Sequence, residues 1–380
     1  MQPDLIIVGG GAVGASLARA ARGLRVALVA QERRVPRAAA AGAFDARVYA
    51  LSPGNVAFLR QIGAWDALPR ERLCPVRAMR VFGDDGASCI EFDAYRVGVP
   101  ELAWIVEDTA LQDALWHGQE PLVAELKEIR VSAEHVAATL HDGRSLEARL
   151  LVGADGANSF VRQAAGIAAS QSDYGQSAVV ANFHCERPHE NVAWQWFQGG
   201  PVLALLPLPG DQVSMVWSLP SAEAARVAAL GAKALGREVE AASHGRLGAL
   251  RTACAPRSYP LRRLGARRLV APRIALAGDA GHVIHPLAGQ GLNLGLQDAR
   301  ALAAVLAARE PGRDPGDERL LRRYERSRAE PILGMDAMVD GLFALFAGRH
   351  PLAFRLRNAG LNLVDRFAVL KNVLMRHAMN

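Results

Sequence analysis

PRIALAGDAGHVIHPLAGQGLNLGLQDARALAA, residues 272–304, compresses a strand, an acid-bearing turn, a proline-glycine loop and a helix start into one short stretch. Residues 273–277 read as a short buried strand, and Gly278-Asp279 breaks it with a carboxylate at its carboxyl end. His282, His285 and Pro286 follow. Gly289, Gln290, Gly291, Leu292 and Asn293 then lead into an apolar helix over residues 294–306. Main-chain N–H groups left free at such a helix start suit an anionic or electron-rich ligand. Glycines let the backbone approach a flat ligand, because no Cβ intervenes. A single glycine here would mean an ordinary crossover turn. Several breakers grouped around one acid mean a ligand cradle.

A second cradle lies at the other end of the chain. Residues 4–8 (DLIIV) form a buried strand, followed by Gly9-Gly10-Gly11-Ala12-Val13-Gly14 and a helix over about residues 15–21. Gly9, Gly11 and Gly14 carry the G-x-G-x-x-G spacing, which serves a tight turn, close approach of a pyrophosphate and close helix–strand packing. Residues 25–30 (RVALVA) supply the next strand of a βαβ unit. An acid for the ribose hydroxyls is expected at the end of that strand, where Ala30 and Gln31 stand instead; Glu32 comes two residues late. A third element, residues 150–156 (LLVGADG), reads as a strand ending in an Asp155-Gly156 turn, with a helix from about Ser159. Alone, that turn is ordinary loop chemistry.

Together these three marks resemble the flavin-dependent aromatic hydroxylases. Residues 45–52 (DARVYALS), 105–115 (IVEDTALQDAL), 193–197 (AWQWF), 278–295 and 320–328 (LLRRYERSR) narrow the resemblance to the ring hydroxylases of ubiquinone biosynthesis, over nearly the whole chain. The resemblance implies an α/β fold with a Rossmann-like FAD-binding domain, an inserted, mainly β substrate domain and C-terminal helices. It implies that Gly9, Gly11, Val13 and Gly14 hold the FAD pyrophosphate, with Glu32 as a partial substitute for the ribose acid. Arg47, Gln112 and Asp155 match nucleotide-contacting positions. Gly278 and Asp279 would run along the ribityl chain, with Asp279 bonding the ribityl or pyrophosphate region, and Pro286 with Gly289 to Asn293 would line the flavin ring. Asp108-Thr109 replaces the family's usual Asn-Arg, and Gly281 replaces an alanine.

The implied reaction uses NAD(P)H to reduce FAD, and O2 to give a C4a-hydroperoxyflavin whose distal oxygen attacks the ring of a polyprenylated phenol. The cofactor carries that chemistry, while the protein supplies position and excludes water. His285, beside Pro286, is the titratable side chain placed near the ring edge. It either orients and deprotonates the phenol or fixes the loop through main-chain bonds. Two other readings stay open: a non-catalytic flavin-fold scaffold in a ubiquinone biosynthetic assembly, and a flavin reductase acting on prenyl chains.

Composition agrees with a globular enzyme: 380 residues, 51% hydrophobic and 22% charged. The net charge of +6 does not indicate nucleic acid, since the basic residues are nearly all scattered arginines with no aromatic-interleaved run. Cys74, Cys89, Cys185 and Cys254 lack metal or redox spacing, no metal site is expected, and a cytoplasmic setting with reduced thiols follows. No run approaches the roughly 18 apolar residues of a membrane span.

The expected organisation is discontinuous. Residues 1–70, 100–170 and 265–310 form the FAD-binding domain, 71–99 and 171–264 the substrate domain, and 318–380 the C-terminal helices. Residues 79–92 read as a hairpin around 84–86, and 221–235 as one polar-faced helix. Residues 320–380 hold ten basic residues against five acids, and 352–374 carry an apolar stripe at helical spacing. Such a tail suits either packing on the core or peripheral contact with the inner face of a membrane, or with another ubiquinone-biosynthesis protein.

Overall fold

A computed structural model of the chain describes residues 2–32, 42–83, 88–285 and 290–347, of which 342–347 by backbone alone. Two sheets dominate the described residues. The first has six strands in the order Val270–Ala271, Ile274–Leu276, Leu150–Gly153, Leu5–Val8, Val26–Ala30 and Leu122–Val123. Its neighbours run parallel apart from the Val270–Ala271 edge. The strands at its centre are apolar throughout, as parallel strands covered on both faces must be. The helices Ala12–Ala20 and Gln290–Ala307 join the strands in one core with the start of the last helix, Glu318–Ala347.

The second sheet has nine strands and faces the glycine loops across a cavity. Its backbone is the seventeen-residue strand Ala169–Cys185, paired antiparallel with Gln212–Pro220 on one side and Arg257–Ala266 on the other. Val202–Leu208, Val192–Phe197, Ala78–Phe82 and Cys89–Asp93 extend it in that order, and His282–Val283 closes the other edge. Period-two alternation divides its faces. Val179, Ala181, Trp194, Trp196, Leu203, Leu205, Met215 and Trp217 pack under two helices, Ser221–Ala228 and Ala232–Ala242. The opposite face looks toward the glycine loops.

Several local expectations change. The helix expected over 221–235 is two helices, because Gly231 takes an extended conformation and starts the second. The first helix begins at Ala12, directly after the glycine loop, and the late one begins at Gln290 rather than 294. Residues 74–76 leave the substrate sheet and pair instead with Ala103–Glu107, in a three-stranded sheet with Val48–Leu51. Ala78–Phe82 and Cys89–Asp93 pair as a hairpin should, while its turn at 84–86 and the stripe at 352–374 lie outside the described residues.

Candidate active site

The strand Leu5–Val8 delivers Gly9 to the carboxyl edge of the parallel sheet, where Gly9 has φ +114°. A Cβ there would overlap the Ala154 carbonyl, and a Cβ on Gly14 would overlap the Gly9 carbonyl. These two glycines let the loop fold against itself and its neighbour. Gly11 differs: nothing stands within 4 Å of its missing Cβ, and it lines a cavity at the start of the helix Ala12–Ala20. That is open room beside free N–H groups, as a pyrophosphate requires.

The Gly-Asp loop is held from below by charges. Asp298, fully buried, accepts from Gly278 N at 2.8 Å, pairs with His282 Nε2 at 2.6 Å and accepts from Arg328 Nε at 2.6 Å. Burial works against the Asp298 charge, but His282 and Arg328 outweigh it and hold the carboxyl below its usual range. Burial likewise opposes charge on His282, and Asp298 overrides it to raise the imidazole pKa. The Tyr324 hydroxyl donates to Leu276 O at 2.7 Å, and Glu325 accepts from Leu269 N at 2.8 Å, so the last helix also holds the strand pair that leads into the loop. Val13 then wedges between the two cradles. Added Cβ atoms on Gly278 and Gly295 would lie 3.0 and 2.6 Å from its side chain. Gly281 is equally constrained, since a Cβ there would meet Leu269 at 2.6 Å.

Between the two sheets lies a cavity of about 670 Å³. Gly11, Val13, Arg47, Gln112, Asp279, Gln290, Gly291, Leu292 and Asn293 line one side, and Ala178, Val180, Ala193, Gln195, Ala204, Val216 and Ser218 line the sheet side. Surrounding protein raises the Asp279 pKa, while His282 and Arg47 pull it back. Arg47 stands over the Tyr49 ring at 5.4 Å. Tyr49 OH and Gln112 Nε2 both donate to Asp108 Oδ1, at 2.9 and 3.2 Å, which leaves buried Gln112 Oε1 without a partner. Asp45 takes the Thr109 N–H at 2.9 Å and the Thr109 hydroxyl, so the residue standing in place of the family's arginine pins the segment that carries Arg47 into the strand Val48–Leu51. Glu107 supports the same segment through Asp45 N and a bidentate Arg72.

An FAD-binding domain model matches residues 2–333, nearly nine-tenths of the chain. The chain belongs to the flavin-dependent aromatic hydroxylases of ubiquinone biosynthesis. This monooxygenase is 37% identical to the ubiquinone hydroxylase UbiL of Rhodospirillum rubrum, covering 99% of the chain and 89% of that protein. It is 35% identical to the 3-demethoxyubiquinol 3-hydroxylase of Escherichia coli, over 99% and 98%. Among solved structures, PqsL of Pseudomonas aeruginosa in complex with 2-aminobenzoylacetate shares the fold at TM-score 0.79 and 24% identity, over 95% and 99% of the two chains. HpxO of Klebsiella pneumoniae, complexed with FAD and uric acid, does so at 0.77 and 18%, over 99% and 96%.

The hydroxylase's residues fit an extended flavin nucleotide: the open Gly11 position, the lumen carboxylate of Asp279, the orphaned Gln112 oxygen and the helix start at Gln290 converge on one lumen. Other expected site residues sit elsewhere. Asp155 caps the helix Phe160–Ala164, accepting from Ser159 Oγ at 2.5 Å and Val161 N at 3.1 Å, and only its neighbours Ala154 and Gly156 reach the lumen. Glu32 is exposed beyond the strand end and outside the cavity lining, while Ala30 packs by Gly10, whose carbonyl takes the Trp116 indole N–H at 2.8 Å.

His285 is fully buried behind the cavity wall, 3.3 Å from Gln176 Oε1 and edge-on to Tyr174, and burial pushes its pKa down to about 4. Asn293 lines the lumen but is tied to Ser52, Asn55 and Ala50. Pro286 and Gly289 lie outside the described residues. Sequence reading missed Asp298, Arg328 and Gln195. The available signal for Asp298 was an acid on the buried stripe Leu294, Leu302 and Leu306.

Proposed function

We propose that this monooxygenase hydroxylates the aromatic ring of a polyprenylated phenol, with NAD(P)H as a transient reductant and O2 as the oxygen source. One observation carries the reading: a single lumen joins the glycine and Asp279 wall to a sheet face that is apolar over most of its area. The names of the two bacterial relatives, a ubiquinone hydroxylase and a demethoxyubiquinol hydroxylase, support the substrate class. Bound flavin supplies the redox chemistry and an electrophilic oxygen.

The chain's own residues do the rest. Gly9, Gly11 and Gly14 shape the pyrophosphate loop, and Val13 sets its distance from Gly278. Asp279, Arg47 and Gln112 hold the polar parts of the nucleotide, and Gln290 to Asn293 flank its ring. Val180, Ala204, Leu206 and Val216 exclude water from the facing side of the lumen. His285, neutral at physiological pH by its lowered pKa, acts as a positioning residue that ties the 278–285 loop to Gln176 of the substrate sheet rather than as an acid. The basic tail makes reversible contact with an anionic membrane; no helix of the described residues is long and apolar enough to cross one.

The test is purified protein reconstituted with FAD. NAD(P)H oxidation stimulated by a prenylated phenol, with 18O from O2 in the product ring, is expected. Restored ubiquinone in a strain lacking its ring hydroxylases would name the carbon attacked. Bound FAD with no stimulated oxidation would select the scaffold instead.

A further inference from the structure

The roof of the cavity carries one feature that packing does not explain. Gln195 is 6% exposed, lines the lumen, and its side-chain amide bonds to none of the described residues. It sits in a fixed place: its strand is paired on both sides, with Ala204 and Val81 opposite it. Its flanking residues Trp194 and Trp196 stack with Phe82 in the layer under the two helices, so the backbone at 195 has little freedom to rotate the amide out. Cross-strand register puts Ala204, Val216 and Val180 in the same row. Of the other polar residues on the sheet lining, Ser218 is two strands and one row away, roughly 10 Å or more at ordinary strand spacing, and Tyr259 lies four strands away. Gln195 is therefore the lone carboxamide of an apolar roof, open to the lumen, and a ligand that displaces water there must bond it or leave it unpaired at a cost.

We propose that Gln195 is the residue that fixes the orientation of the substrate ring, by hydrogen-bonding a neutral oxygen substituent on it. This rests on the hydroxylase reading above. A carboxamide both donates and accepts, so it serves a hydroxyl, a methoxy or a carbonyl oxygen alike. It has no charge with which to recruit a carboxylate. Among the described lining residues Arg47 carries the only fixed positive charge, and that charge stands near Asp279 on the opposite wall. The apolar remainder of the roof then takes the chain of the substrate, and the single polar contact selects which ring carbon faces the flavin side. Gln195 positions; it moves no proton.

The experiment compares wild type with Gln195→Leu and Gln195→Glu, each loaded with FAD. Two probes are used: a phenol carrying a short prenyl chain, and the same compound lacking the ring hydroxyl. Binding is read anaerobically from the change in flavin absorbance. Gln195→Leu should bind the phenol about three- to tenfold more weakly, the weight of one neutral hydrogen bond. It should bind the deoxy probe as wild type does, and retain FAD unchanged. Turnover should lose coupling, with more peroxide released per NAD(P)H, and the product should become a mixture of ring isomers. Gln195→Glu, neutral only when protonated, should bind the phenol better at low pH than at high pH.

An equal loss for both probes would mean that Gln195 merely packs, and an unchanged affinity and product would overturn the proposal outright. Wild-type protein that hydroxylates nothing would instead count against the hydroxylase reading.

Discussion

Replacing Asp298 by asparagine removes the one carboxylate that faces both His282 and Arg328, while keeping its shape. Each of its three bonds is between 2.6 and 2.8 Å, and the group is fully buried. Breaking a buried ion pair by removing one partner costs about 3–5 kcal/mol, because the other charge is left uncompensated. Arg328 is only 6% exposed at its side chain, so water cannot take over. For a 380-residue chain melting as one unit, that cost corresponds to a Tm fall of about 4–6 °C.

The pH dependence follows from the same triad. The folded pKa of His282 lies above its unfolded value, so its contribution is complete below about pH 6.5 and is lost as pH rises through the elevated folded pKa. The folded pKa of Asp298 is depressed, so its contribution holds above about pH 4 and disappears as pH falls through the lower folded pKa. Differential scanning fluorimetry from pH 5 to 9 on the FAD-loaded protein is the assay. Wild type should lose Tm on the alkaline side, and Asp298→Asn should start lower with a flatter alkaline limb. Combining Asp298→Asn with Arg328→Met should cost less than the two single changes added together. Additive losses, or a variant with wild-type Tm, would show that the triad does not hold the loop.

Asp279→Ala should weaken FAD binding by about 1.5–3 kcal/mol, the value of a hydrogen bond to a charged group, and unchanged affinity by fluorescence titration would remove that residue from the cofactor site. Ala30→Glu should tighten FAD by no more than about 3 kcal/mol, by restoring an acid at the strand end. No gain on titration would mean that the ribose is already satisfied or faces water. The full chain should pellet with anionic vesicles at low salt and less so at high salt, with each basic group near the surface worth about 1 kcal/mol. A chain cut after Pro351 and still holding FAD should pellet less; equal pelleting of the two would leave the tail as packing alone.

What sequence could reveal depended on whether a residue's role was local. Gly9, Gly14 and Gly278 were readable because turn geometry and close packing leave only glycine, and breakers announce themselves. The alternating strands of the nine-stranded sheet were readable for the same reason, since one apolar face must repeat every second residue. Asp155 was read at the right turn, but not its bonds: its carboxylate closes the start of the next helix, which depends on Ser159 and Val161 folding back toward it. The Asp298 triad joins positions 16 and 30 residues apart, through a short strand and the docking of two helices. Its trace in the sequence was an acid on an apolar stripe and the Arg328 of LLRRYERSR, neither of which names its partner. Gln195 was hidden between two tryptophans, whose size drew attention to the face it does not share.

The wedge of Val13 between Gly278 and Gly295 has a consequence for how the molecule comes to exist. The N-terminal loop emerges from the ribosome long before the segment that seals it, so for most of synthesis its strand Leu5–Val8 lacks the final support of the Gly-Asp loop. The nine-stranded sheet, built from residues between these two loops apart from its His282–Val283 edge, has its own apolar layer under two helices and is able to condense first. Contacts of such long sequence separation form late and slowly, because the entropy of closing the intervening chain precedes any gain. Free flavin nucleotide present during refolding should therefore speed the last step of maturation and leave the early appearance of sheet structure unchanged.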